Sequence, residues 1–413
     1  GAARVAAACD VCSPTDTADW YVDLRDTIRL RVAAVSEEPE LLTVDEVTSP
    51  LAALHAPTRR SLPSPGAATA ADPVERLTMA QSINRCLGEV LADSDDVVVF
   101  GEDVGRKGGA YGVTRGLQKR FGDRRVFDML LDEQSILGMA LGSGLNGRLP
   151  IPEIQYLAYL HNAEDQLRGE AATLGFFSNG QYRNPMVVRI AGYGYQKGFG
   201  GHFHNDDSIA VLRDIPGLVI ASPAHPADAA PMLRSCVAHA RATGAVCVYL
   251  EPIARYHDPD LHELGDGGWS SAEVATTAEL GRAHRYRPSG DAPCDLTILT
   301  WANGTHLSLR AQRRLETEHR IRCLVVDLRW IAPMPIDDMV DAVEATGRVL
   351  IVDETRRSGG VGEGIIAALV ERGVDATISR IAATDSFVPL GAAANLVLVS
   401  EDDIVTAASK AAR

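Results

Sequence analysis

Two segments carry side chains that could serve a reaction. Glu133 precedes the Gly/Ala-rich stretch 138–144, whose small residues allow a helix to approach a neighbouring backbone or ligand closely. A carboxylate there either complements the positive end of a helix or is a buried acid in a cleft. His202 and His204 lie in a glycine-rich segment, and a histidine can transfer protons near neutral pH. A solvated loop histidine would have the same spacing.

The other motifs give little support for a metal site or a phosphate site. Residues 202–207 have the HxHxDD spacing of the metallo-β-lactamase metal loop, but the later histidines lack a matching context. Cys9 and Cys12 form one CxxC pair without a second pair, which favours chance spacing. The glycine-rich turns 101–105 and 108–111 lack the phosphate-binding patterns. We expect no metal ligand on this chain.

The bulk composition is that of an ordinary globular chain. Its 413 residues are enough for two or three domains, and 46% of them are hydrophobic. The net charge of −15 argues against nucleic acid as a partner, because an acidic protein repels phosphate backbones. The sequence has no apolar run long enough to predict a membrane span, and its 7 dispersed cysteines do not indicate a disulfide framework. We expect a cytoplasmic location.

The elements that must position the reactive side chains alternate between helix and strand. This alternation predicts an α/β fold, with two α/β domains built on mostly parallel sheets and preceded by a helical tail and a linker. Ligands bind beyond the carboxyl ends of parallel strands, so functional loops should follow Phe100, Ile154 and Ile190. The predicted strands are 97–100, 151–154, 186–190, 218–221, 246–250, 296–300, 324–327 and 349–353. The predicted helices include 135–145, 163–174, 226–240, 305–315 and 361–370.

Composition divides the chain into five segments. Apolar residues recur at helical spacing near the start, and a Pro- and Ala-rich stretch follows. Thr78 and Gln81 then predict a capping box at the first helix of the main body. The predicted segments are a helical segment (1–55), a linker (56–76), a first α/β domain (77–257), an irregular connector (258–293) and a second α/β domain (294–413).

The ordered motifs of the main body resemble the beta subunit of the decarboxylating component of 2-oxoacid dehydrogenase complexes. The segment Ser358–Glu363 also fits the last domain of that family, so the resemblance extends from about Leu77 to the end. Its specificity lies in the order and spacing of the set. The matching segments are 101–105, 108–117, 125–128, 152–155, 165–166, 178–181, 216–218 and 250–252.

The resemblance implies a thiamine diphosphate (ThDP) site shared with a second polypeptide segment. In this family an alpha half holds Mg²⁺ and the diphosphate through a GDG…NN motif, which this sequence lacks. The beta half holds the pyrimidine ring and has a transketolase-like pyrimidine-binding domain and C-terminal domain. By position, Glu133 would hydrogen-bond the pyrimidine and activate the coenzyme, and Tyr159 would pack against that ring. His204 would act as a general acid in acyl transfer to a lipoyl group.

The chain departs from the family pattern close to these positions. His204-Asn205-Asp206 stands where His-Ser-Gln is usual, His161 stands where an apolar residue is common, and His202 is additional. These departures leave open which 2-oxoacid is used. The loop 240–245 is longer than the potassium-binding loop of the family, so potassium binding also stays open.

The resemblance also implies partners. We expect an alpha half that is required for activity, a second beta copy in a heterotetramer, and a lipoyl acyltransferase component. Residues 20–42 resemble the tail of an alpha subunit, so we hypothesise that the chain is the C-terminal piece of a fused alpha–beta polypeptide. Three alternatives are a transketolase-type ThDP enzyme, a non-catalytic scaffold with the same fold, and a metal hydrolase.

Overall fold

The computed structural model describes residues 12–38, 41–54, 76–196, 201–272 and 277–413. Cys9 and almost all of the predicted linker lie outside these ranges. Internal contacts divide the chain into two units, residues 1–49 and 50–413. No helix among the described residues is long and apolar enough to cross a membrane.

The first unit contains a helix whose side chains are not buried. This helix, α1 (Pro14–Val35), begins at a capping box: the Ser13 hydroxyl accepts a hydrogen bond from the Asp16 amide at 3.0 Å, and the Asp16 carboxylate accepts one from the Ser13 amide. Trp20 and Tyr21 on this helix are each 66% exposed. The helical segment predicted at the start of the chain is therefore present. A second helix, α2 (Val44–Leu54), follows.

The described residues of the main body form two sheets. Their strands are β1 (Val97–Gly101), β2 (Val126–Asp128), β3 (Leu149–Ile154), β4 (Met186–Gly192), β5 (Val219–Ala221), β6 (Val246–Pro252), β7 (His284–Tyr286), β8 (Leu296–Thr300), β9 (Cys323–Asp327), β10 (Trp330–Ala332), β11 (Arg348–Arg356) and β12 (Thr377–Ala383). The first sheet has the order β10-β5-β6-β4-β3-β1-β2, and the second has the order β12-β11-β8-β9-β7. All paired strands are parallel except β10 with β5 and β7 with β9. The predicted α/β fold with two mostly parallel sheets is confirmed.

Helices connect the parallel strands, as that arrangement requires. The first of them begins at the predicted capping box, where the Thr78 amide donates to the Gln81 side chain at 2.8 Å. The helices are α3 (Met79–Asp93), α4 (Leu117–Phe121), α5 (Glu133–Leu145), α6 (Leu157–Leu160), α7 (Ala172–Phe177), α8 (Ala210–Arg213), α9 (Pro226–Thr243), α10 (Ala302–Arg314), α11 (Ile336–Glu344), α12 (Val361–Glu371) and α13 (Glu401–Ala411).

One predicted helix is divided in the structure. Residues 163–174 contain a π-helical turn, Gln166–Ala171, which precedes the short α7. Gly169 lies in this wide turn, and a Cβ at that position would lie 2.6 Å from the Asp165 carboxylate. A side chain there would therefore require the Asp165 carboxylate to move.

The first sheet contains a strand from the C-terminal part of the chain. β10 pairs antiparallel with β5, and Ala332 lies opposite Ile220. Trp330 on β10 is fully buried in the core beneath the first sheet. The sequence analysis did not predict this strand, which joins the two α/β regions.

A buried arginine links three strands near their carboxyl ends. Arg189 on β4 donates to Glu153 on β3 at 2.6 Å and to Glu251 on β6 at 2.7 and 2.9 Å. The Tyr256 hydroxyl donates to Glu251 at 2.5 Å. Burial raises the pKa of Glu153, although Arg189 opposes that shift. Burial alone would lower the pKa of Arg189, but Glu251 and Glu153 raise it.

Candidate active site

Glu133 lies at the start of a helix, largely out of contact with water. It is the first residue of α5, and only 6% of its surface is exposed. The Asn162 amide donates to its carboxylate at 3.3 Å. A carboxylate at a helix start is stabilised by the positive end of the helix dipole, so burial here is compatible with a negative charge.

Aromatic side chains line the turn that follows β3. The Tyr159 ring lies edge-on to Tyr156, with 5.4 Å between ring centroids. The hydroxyls of Tyr156 and Tyr111 lie 2.9 Å apart, and the side-chain amide of Gln196 donates to the Tyr111 hydroxyl at 2.5 Å. These contacts connect the loops after β1, β3 and β4 at the carboxyl edge of the sheet.

His204 contacts the same aromatic group. Its ring centroid lies 4.5 Å from that of Tyr156 and 6.2 Å from that of Tyr159, in edge-to-face arrangements. The neighbouring Asn205 shapes the loop, because its side-chain oxygen accepts a hydrogen bond from the backbone amide of Gln196 at 3.0 Å. The His204 ring therefore lies beside Tyr156 and Tyr159.

Two carboxyl groups, those of Glu102 and Glu133, lie near Tyr159. Burial raises the pKa of Glu102, and repulsion by Asp103 and Glu133 adds to the shift. Burial likewise raises the pKa of Tyr159, and the negative charges of Glu102 and Glu133 add to this shift. Because these groups perturb one another, the two carboxyl groups and the Tyr159 hydroxyl share one electrostatic environment.

The structure brings together Glu133, Tyr159 and His204, the three site residues predicted from the sequence. It adds Glu102 and Asn162, which the sequence analysis did not single out. Glu102 belongs to the turn 101–105, which the sequence analysis used for the resemblance and as evidence against a phosphate site. Asn162 lies three residues after Tyr159, a helical spacing that could have indicated a shared face.

The other candidate residues lie in different surroundings. His202 packs against Phe387, with 4.7 Å between ring centroids, and does not join the tyrosine group. Among the described residues, no group of three or more His, Cys, Asp or Glu side chains is arranged to hold a metal ion.

Comparison with known proteins identifies the family. The family profile described as "Transketolase, pyrimidine binding domain" matches residues 75–252, and that of "Transketolase, C-terminal domain" matches residues 289–404. The pyruvate dehydrogenase E1 component subunits beta of Staphylococcus aureus and Bacillus subtilis are each 34% identical to this chain over 343 residues, which is 81% of this chain and 98% of the relative. The chain belongs to the E1 beta-subunit family. The Staphylococcus epidermidis subunit is 35% identical over 338 residues.

A solved structure supports the E1 beta-subunit fold. The "Split gene transketolase, inactive beta4 tetramer" has a TM-score of 0.63 and 20% identity, and the match covers 81% of this chain and 98% of that one. At this identity the likeness concerns the fold alone. The family resemblance found in the ordered sequence motifs is confirmed.

The domains of this E1 beta chain imply ThDP as the cofactor. The residues present fit the pyrimidine end of that molecule. An aminopyrimidine offers hydrogen-bond donors and a flat ring face, which suit carboxyl groups and an aromatic side chain. The carboxyl groups of Glu102 and Glu133 would repel a diphosphate, so these residues fit the ring and not the phosphates.

Proposed function

We propose that this chain is the beta half of a ThDP-dependent 2-oxoacid dehydrogenase. Together with an alpha half it would catalyse oxidative decarboxylation of a 2-oxoacid and transfer the acyl product to lipoyl groups. One observation carries the proposal: Glu133 is buried at the start of α5, close enough to Tyr159 to raise its pKa, and the Tyr159 ring centroid lies 6.2 Å from that of His204. The names of the relatives support the same reaction class.

The residues of this chain would divide the work among them. When bound, ThDP supplies the carbon nucleophile and the electron sink for decarboxylation. Glu133 would hold a proton between its carboxylate and the pyrimidine ring nitrogen, and the nearby Asn162 amide would orient that carboxylate. Tyr159 would pack against the ring. His204 would donate a proton during acyl transfer, an effect of about 10²–10⁴-fold.

The same proposal specifies partners. An alpha half would hold Mg²⁺ and the diphosphate, because this sequence lacks the GDG…NN motif that holds them in the family. A second beta copy would complete a heterotetramer, and a lipoyl acyltransferase would accept the acyl group. Support comes from the relatives, which are named as subunits beta of an E1 component. We also propose residues 77–257 and 294–413 as the two domains.

The test is a substitution at Glu133 in the assembly reconstituted with an alpha half, ThDP and Mg²⁺. Glu133→Gln should lower decarboxylation of a 2-oxoacid by at least about 100-fold, because an amide cannot share the proton. Glu344→Gln, at an exposed position on α11, is the matched control and should keep full activity. Wild-type rates for Glu133→Gln would refute the assignment.

A second variant separates the two half-reactions. His204→Ala should reduce acyl transfer to lipoyl groups more than it reduces decarboxylation measured with an artificial electron acceptor. Equal losses in the two assays would remove His204 from the transfer step. Pyruvate, branched-chain 2-oxoacids and acetoin-type substrates form the panel that would identify the substrate.

A further inference from the structure

The loop that carries His204 is bound to the turn that carries Tyr159. His161, two residues after Tyr159, has its Nε2 atom 2.9 Å from the Ser208 hydroxyl and 3.7 Å from the Asp206 carboxylate. The Ser208 hydroxyl also donates to Asp206. A side chain from the turn after β3 thus meets two side chains from the loop after β4.

The second α/β region holds the same loop from another side. Arg356, the last residue of β11, lies 3.0 Å from the Asp206 carboxylate and 3.5 Å from that of Asp207. Its Nε donates to the Ser386 carbonyl at 3.1 Å. The His202 ring packs against Phe387 beside it. The loop is therefore fastened to both α/β regions.

The charges in this group depend on one another. The Asp206 side chain is only 4% exposed, so its negative charge requires partners. Burial opposes its ionisation, but hydrogen bonds from His161 and Ser208, together with Arg356, lower the pKa of Asp206 to about 2. In return, the Asp206 carboxylate raises the pKa of His161, and Glu164 on the same turn adds to this shift.

We propose that His161 is a positioning residue, whose imidazole fastens the turn bearing Tyr159 and Asn162 to the loop bearing His204 through Ser208 and Asp206. His161 and Asp206 both depart from the family pattern, and they lie in contact with each other. The catalytic consequence rests on the proposed function, because it concerns the placement of His204. The attachment of the two segments by His161 does not rest on the proposed function.

The attachment should depend on pH. The groups that face His161 are Glu164 on its own turn and Asp206 on the opposite loop, with Arg356 behind Asp206. The folded-state pKa of His161 lies above its ordinary value. Its stabilising contribution is therefore complete below that ordinary value, and it is lost as the pH rises through the raised pKa. Asp206 stays ionised throughout this range, because its pKa is about 2.

Hydrogen–deuterium exchange of the full chain tests the attachment without any catalytic assay. His161→Gln keeps a polar side chain that cannot titrate, and His161→Leu has the apolar character common at this position. Amides of residues 201–209 should exchange roughly two- to five-fold faster in His161→Leu than in the wild type at about pH 6, after correction for intrinsic rates. His319→Gln, at an exposed histidine of the second region, is the control and should not change them.

The pH dependence gives a second readout. Protection of residues 201–209 should fall in the wild type as the pH rises above the ordinary histidine pKa of about 6.5, and it should stay flat in His161→Gln. Equal protection in the wild type and both His161 variants would overturn the proposal. Should His161→Leu not fold, the comparison of His161→Gln with the wild type decides the question.

An activity assay then connects the attachment to catalysis. In the reconstituted assembly, His161→Gln should lose the alkaline limb of the pH profile of lipoyl acyl transfer, whereas decarboxylation with an artificial acceptor should change less. An unchanged transfer profile would remove the catalytic consequence. If the wild type turns over no 2-oxoacid, the proposed function fails, and the exchange experiment still decides the role of His161.

Discussion

Replacement of Arg189 by Met would test how the carboxyl ends of β3, β4 and β6 are stabilised. The arginine makes three charge-assisted hydrogen bonds, at 2.6, 2.7 and 2.9 Å, with two carboxylates. Each such bond contributes about 1.5–3 kcal/mol, so the three together set an upper limit of about 4.5–9 kcal/mol. Glu153 and Glu251 can relieve part of the loss by taking up protons. We therefore expect Arg189→Met to lower the free energy of unfolding by about 3–5 kcal/mol.

The assay is urea unfolding of the full chain, with the melting temperature as a second measure. Arg313→Met is the control: Arg313 is 51% exposed and pairs with Glu263 at 2.8 Å, so its loss should cost less than about 1 kcal/mol. Adding Glu153→Gln to Arg189→Met should recover part of the stability, because one unpaired buried charge is then removed. A loss for Arg189→Met no larger than that for Arg313→Met would show that the reasoning about buried charge is wrong.

Two further predictions concern the second α/β region. Burial raises the pKa of Glu354 to about 8, although the Asn303 side chain donates to it at 2.8 Å. Because the folded-state pKa of Glu354 lies above the ordinary value, the free energy of unfolding should fall as the pH rises from about 5 to 8. Glu354→Gln should flatten that part of the plot of melting temperature against pH. An unchanged slope would contradict the raised pKa. Ser400 begins α13 and accepts a hydrogen bond from the Asp403 amide at 3.1 Å. Ser400→Ala should therefore cost about 0.5–2 kcal/mol in urea unfolding. Ser386→Ala, which removes a hydroxyl that donates to the adjacent Phe387 carbonyl, is the comparison.

Local sequence was informative where one element is buried on all sides. The continuous apolar runs 97–100 and 246–250 predicted strands of parallel sheets, because such strands have helices on both faces. The strands that the sequence did not predict, β2, β7, β10 and β12, lie at the edges of the two sheets. Their formation depends on the strands beside them, which single-sequence patterns do not contain.

The candidate site was accessible through ordered motifs, but its electrostatics were not. Motif order pointed to Glu133, Tyr159 and His204. The effect of Glu133 on the pKa of Glu102 depends on the distance between the start of α5 and the turn after β1. The contact between His161 and Asp206 is of the same kind, because the two residues lie on separate connections and meet only after the sheet has formed.

The antiparallel pairing of β10 with β5 has a consequence for synthesis on the ribosome. β5 emerges long before β10, so a nascent chain that has completed the other strands of the first sheet still presents an unpaired backbone edge at β5. Such an edge invites pairing with other chains. Release of a chain truncated before Trp330 should therefore yield aggregates, and the hazard ends once the last strand arrives to cover the exposed margin.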